Sequence, residues 1–160
     1  MKAELAEWNE GQGIDLESWV GCQGNFRLAV GYAAVFWPEF VEFDGYILPA
    51  GFSEQNLRGF ELQQKGNRQE VEATMNHLHI DGIQYDGCPD LSEDKAMILG
   101  KILKEIYEAK LAWQFPGRPC RVEFLVPDNR ADLTQYQITF WQRVHESSSE
   151  PTIAGDERQA

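Results

Sequence analysis

Cysteine is scarce in this chain and poorly placed for cross-linking. There are three, Cys22, Cys88 and Cys120, odd in number and far apart. That spacing argues against a disulfide framework, and no two of them form the C-x-x-C pair of a zinc knuckle or redox motif. Free thiols packed as small apolar groups in a reducing compartment remain, which predicts a cytoplasmic protein. Basic residues are also few, 14 Lys and Arg against 26 Asp and Glu, for a net charge of −12. A nucleic-acid binder needs a basic patch able to neutralise phosphates, so that class of partner is not expected. Long hydrophobic runs are absent too. The longest, Leu28 to Trp37, is half the roughly 20 residues that a spanning helix requires, so no membrane partner is expected. The opening MKAELAEWNEGQG has no apolar core of the kind a signal peptide carries. No G-x-S-x-G elbow, P-loop or dinucleotide-binding glycine pattern occurs, and no cofactor is expected.

What is present is enough apolar material for a packed core, 42% hydrophobic and 12% aromatic over 160 residues. The acidity is concentrated at the ends: residues 1–20 hold five acids and one base, and residues 146–160 hold four acids and one base. This divides the chain into a partly ordered segment 1–24, one α+β domain over 25–145, and a disordered acidic tail over 146–160.

Hydrophobic periodicity and turn chemistry place the elements. Asp15 is positioned to cap a short helix over Leu16–Val20, and Asn25 to cap one that runs to Trp37, where Pro38 stops it. That second helix has Arg27 as its only charge and is apolar nearly all round. Such a helix is expected to be the buried core helix, with Phe26, Val30, Ala33 and Trp37 as its principal stripe. Val30→Asp is accordingly expected to abolish folding. Asp44-Gly45, between two β-prone runs, is a strong hairpin signal. A second hairpin is read from the alternation of Val122, Phe124 and Val126, then of Tyr136, Ile138 and Phe140. The two hairpins are expected to join in one four-stranded antiparallel sheet. Between them lie a helix capped by Ser53, a second opened by Asn67 and Glu70 that carries Val71, Met75 (or Thr74) and Leu78, and a long helix that starts after Ser92 and runs to about Gln114. The long helix shows a stripe of Ile98, Ile102, Ile106, Ala109 and Trp113, with Leu99, Leu103 and Tyr107 beside it. Its lysines alternate with acids and are read as a solvated, salt-bridged face. Helices gathered between strand hairpins point to an α+β fold, its antiparallel sheet packed on the buried helix and the long helix.

Few residues suggest chemistry. His77, His79 and Asp81, with Cys88 or Asp86 added, are ligand types that zinc or iron accepts. At the end of a helix, however, positions i and i+2 diverge and cannot share an ion. Cys88, between Gly87 and Pro89, is the thiol expected to be exposed and is a weak nucleophile candidate. Glu42 and Asp44 are read as a solvent-facing strand side and a turn residue. The aromatic load suits a core, while Trp37, Tyr46 and Trp141 are candidates for an interface, where such rings are favoured. Two functions emerge. The favoured one is a non-catalytic binding or regulatory protein that presents an acidic, aromatic-bearing surface to another protein, such as an inhibitor or immunity-type partner of a basic enzyme; a homodimer is also compatible. The competitor is a small metal-dependent hydrolase built on His77, His79 and Asp81.

Overall fold

The computed structural model describes residues 1–84 and 88–146; the expected tail beyond Glu146, and Asp86, lie outside them. The fold is α+β. Seven helices are described, α1 (Lys2–Ala6), α2 (Trp8–Gly11), α3 (Leu16–Gln23), α4 (Phe26–Phe36), α5 (Glu54–Gln63), α6 (Arg68–Met75) and α7 (Glu93–Gln114). The strands are β1 (Phe40–Phe43), β2 (Tyr46–Pro49), β3 (Leu78–His79), β4 (Cys120–Leu125) and β5 (Gln137–Gln142).

Local chemistry sets the helix starts. The side chains of Asp15 and Asn25 accept from the backbone N–H of Ser18 (2.7 Å) and Leu28 (3.0 Å). Ser53 and Asn67 do the same for Asn56 (3.3 Å) and Glu70 (3.4 Å). Asp44 and Gly45 both take positive φ, 50° and 81°, which closes the β1–β2 hairpin in register Phe43↔Tyr46. Arg68 lies against Gly45, where a Cβ would strike its guanidinium.

The hairpins do not merge into the expected four-stranded sheet. β1 and β2 form a two-stranded sheet, and a separate antiparallel sheet has the order β3-β5-β4. The physical reason lies on α6. Glu72 and Asn76, one helical turn apart, occupy the seam between β2 and β5 and satisfy backbone groups that strand pairing would otherwise use. Asn76 Nδ2 donates to the carbonyls of Ile47 (2.9 Å) and Phe140 (3.1 Å). The Glu72 carboxylate accepts from the N–H of Ile47 (2.9 Å) and of Gln142 (2.7 Å).

The core forms around β5, whose residues Ile138 to Gln142 are all buried. Ile138 and Phe140 pack with Leu103, Tyr107 and Leu111 of α7. The opposite side meets α6, where Thr139 Oγ1 donates to the Ala73 carbonyl (2.6 Å). Gly100 lets α7 approach β4 closely, since a Cβ there would overlap the Phe124 ring. A smaller core of Tyr46, Leu48, Leu57 and Val71 joins β2 to α5 and α6.

Three further expectations change. The helix Phe26–Phe36 is not buried: no residue of α4 is, and Phe26 and Val30 are 91% and 75% exposed. The stripe of Phe26, Val30, Ala33 and Trp37 faces outward, and only Tyr32, Val35 and Phe36 turn toward the rest of the molecule. A helix apolar on every side carries no orientation signal, and α7 and β5 had already filled the core. On α7 the buried face is Ala96, Gly100, Leu103, Tyr107, Lys110 and Leu111, whereas Ile102 and Trp113 of the expected stripe are exposed. Leu78 leaves the helical register, because α6 ends at Met75 and Leu78 pairs with Ile138 of β5.

Candidate functional site

His77 and His79 are brought close, with ring centroids 5.2 Å apart and the planes nearly perpendicular. This proximity follows from the strand that replaced the expected helix end. The Nδ1 of His77 lies against the Thr74 carbonyl, and that of His79 is 2.7 Å from the carbonyl of Thr134. Each contact requires an Nδ1–H donor, so Nε2 is the nitrogen left for a ligand. Among the described residues, no group of three or more His, Cys, Asp or Glu side chains converges as a metal site would need. Asp81 and Cys88 therefore do not complete a ligand set with the histidines.

The thiols are scattered. Cys22 and Cys88 are exposed, so Cys22 departs from the packed state expected of it. The Cys88 thiol donates to Asp90 Oδ1 (3.1 Å), which holds its pKa above the usual thiol value and works against a nucleophile. Cys120 is partly buried, and burial, with Glu72 nearby, pushes its pKa up to about 12.

Of the three interface rings, two are not at a surface. Tyr46 is 1% and Trp141 is 8% exposed. Tyr46 is covered by the Arg68 guanidinium 3.9 Å from its ring centre, and its hydroxyl donates to Glu61 (3.0 Å). Trp141 Nε1 donates to Glu146 (3.0 Å), on the first residue of the expected tail. Trp37 is half exposed and sits 6.1 Å from Trp113, also exposed. Lys110 Nζ lies over both rings, 5.1 and 4.7 Å from their centres, so this lysine is not on the solvated face expected for the group.

A buried polar cluster carries no signature in the sequence. Glu72, with 0% exposure, accepts from Gln142 Nε2 (2.6 Å) as well as from the two backbone donors. His145 lies 3.9 Å from the same carboxylate, and burial lowers its pKa against the opposing pull of Glu72. With its hydrogen-bonding positions satisfied by backbone and amide donors, this carboxylate joins elements. Neither Glu72 nor His145 stands in a motif, and they come from distant elements of the chain.

Two features can receive a partner. The first is the outward face of α4, continued through Trp37 to Trp113, and it lies in a segment rich in acids: residues 1–39 hold six acids and two bases. The second is a cavity of about 700 Å³ behind α4, walled by Met1 and Glu4, by α3, α4 and α7, and by residues within 80–84 and 88–91. No local pattern announces it, because its walls come from six separate stretches of chain. No protein-family model, curated protein or solved structure significantly matches the chain.

Proposed function

We propose that this is a non-catalytic binding protein that offers the outer face of α4 to a basic protein partner. The observation that carries the reading is the exposure of Phe26 and Val30, 91% and 75%, on a helix whose only charge is Arg27. Soluble surfaces seldom carry a contiguous apolar face of this kind unless something covers it. Eleven residues of helix give a strip about 16 Å long, and Trp37 and Trp113 extend it with the ring types that anchor interfaces. The acids of residues 1–39 favour a partner with an apolar centre and a basic rim, because opposite potentials speed encounter and select against acidic competitors. A second copy of this chain would bring like charge against like charge.

Photo-crosslinking tests the reading. A photoreactive phenylalanine analogue replaces Val30 in one sample, and exposed Gln63 on α5 in a control. The expected result is a Val30-specific adduct with a basic protein, weakened by added salt and lost when Phe26→Asp is introduced. An adduct with a second copy of this chain would assign the face to a homodimer instead. No adduct, or the same adducts from Gln63, would overturn the proposal.

A further inference from the structure

The cavity behind α4 uses the opposite side of that helix from the proposed docking face, so its occupant does not depend on the docking partner. Its walls are apolar, with Leu16, Val20, Phe36, Ile98, Leu99 and Ile102 among them. At about 700 Å³ it falls within the roughly 300–1,000 Å³ typical of small-molecule sites. Among the described residues, the charged groups that line it are three acids, Glu4, Asp81 and Asp90, and two cations, Lys95 and the ammonium of Met1.

Lys95 is fully engaged. Its Nζ donates to Glu4 Oε1 (2.8 Å), to the Asp90 carbonyl (2.8 Å) and to Asp90 Oδ2 (3.1 Å), which uses all three ammonium protons. The ammonium of Met1 is paired with Asp94 Oδ2 at 2.5 Å. A ligand carboxylate or phosphate would therefore meet only cations already neutralised by a neighbouring carboxylate. Asp81, by contrast, forms no ion pair and no side-chain hydrogen bond with another described residue. Among the described residues the cavity thus combines an apolar body with a surplus of negative charge and one carboxylate that pairs with none of them.

We infer that the cavity binds a small apolar amine, its hydrophobic part against α3 and α7 and its cationic nitrogen at Asp81. Apolar burial supplies the attraction, and the surplus of carboxylates selects the sign of the head group.

Three probes sharing one aromatic body separate these contributions: 1-naphthylmethylamine, 1-naphthylmethanol and 1-naphthoate. Each is titrated into the full chain and followed by calorimetry. The amine is expected to bind saturably at one per chain, about tenfold tighter than the alcohol, with the acid weakest. Asp81→Asn should bring the amine down to the alcohol's affinity while leaving the alcohol unchanged. Val20→Trp, at a position exposed enough to tolerate the change, should fill the cavity and weaken amine and alcohol alike. Melting curves check that each variant is folded, and Asp81→Ser replaces Asp81→Asn if the latter is not. Acid binding as tight as amine binding, an amine affinity untouched at Asp81, absence of saturable binding, or binding indifferent to Val20→Trp would each overturn the inference.

Discussion

The Glu72 carboxylate lies out of reach of water, and both sheets hydrogen-bond to it through Ile47 and Gln142. Removing it strands two buried N–H donors, each at a cost of about 1–3 kcal/mol. Glu72→Ala is therefore expected to lower the unfolding free energy by about 2–6 kcal/mol, read from urea denaturation. Glu72→Gln should recover about half of this, because it keeps one acceptor oxygen while the amide nitrogen in place of the other can only donate. His145 gives the same cluster a pH dependence. Burial lowers its pKa below the ordinary value of 6.5, so the folded state favours the neutral ring. Between the two values the unfolded chain holds more protons. The contribution is thus complete above about pH 6.5 and is lost as the pH falls through the lowered value. The native ring also lies 3.2 Å from Gln142 Nε2, a contact that suits an unprotonated Nε2. His145→Gln should flatten the decline in stability on mild acidification, which parallel denaturant titrations at about pH 7.5 and about pH 5.5 would measure. An unchanged decline would place the titration elsewhere.

At the scale of elements, α4 separates what a helix is from where it faces. Val30 is 75% exposed, so Val30→Asp should leave the melting curve near that of the native chain, within about 1 kcal/mol. A collapse of several kcal/mol would instead return this helix to the core. The contrast shows which features were legible in the residues alone. Asp15, Asn25, Ser53 and Asn67 announced four helix starts, because a cap is a bond between neighbours only three residues apart. Asp44-Gly45 announced its turn for the same local reason, and the ends of α7 at Glu93 and Gln114 followed from Ser92 before it and Phe115-Pro116-Gly117 after it. Orientation was harder. On α7 both the stripe containing Ile98 and Ile102 and that containing Leu103 and Tyr107 are apolar, and both are used, one lining the cavity and the other the core. β3 is two residues long and exists only through pairing with β5, so nothing within it could have distinguished it from the end of α6. The separation of the two sheets depends on Glu72 and Asn76 reaching β2 and β5, contacts that no local pattern encodes.

Over the whole molecule, burial is unevenly divided along the chain. No residue before Phe40 is buried, whereas β5 is covered on both faces. The first four helices meet the rest through a small set of ties. These include the Glu4–Lys95 ion pair, the bond between Gln84 and Tyr32, the 3.3 Å bond from the Tyr107 hydroxyl to the Val35 carbonyl, and the half-buried sides of Val35 and Phe36. Exposed ion pairs add little, and few apolar groups leave water when these helices dock. The helices also form one wall of the cavity, so their docking and the cavity's shape are a single equilibrium. Opening should accordingly be local. Amides of α3 and α4 are expected to exchange with solvent through a state that exposes little surface, with a free energy that depends weakly on denaturant. Amides of Ile138 and Phe140 should exchange only through global unfolding, with the full denaturant slope. Native-state hydrogen exchange in a series of sub-denaturing urea concentrations separates the two. A common slope and a common free energy for α4 and β5 would mean that the helices and the core open together. A naphthyl amine held in the cavity should then raise the α3 and α4 opening energy selectively, since it binds the docked state and not the opened one.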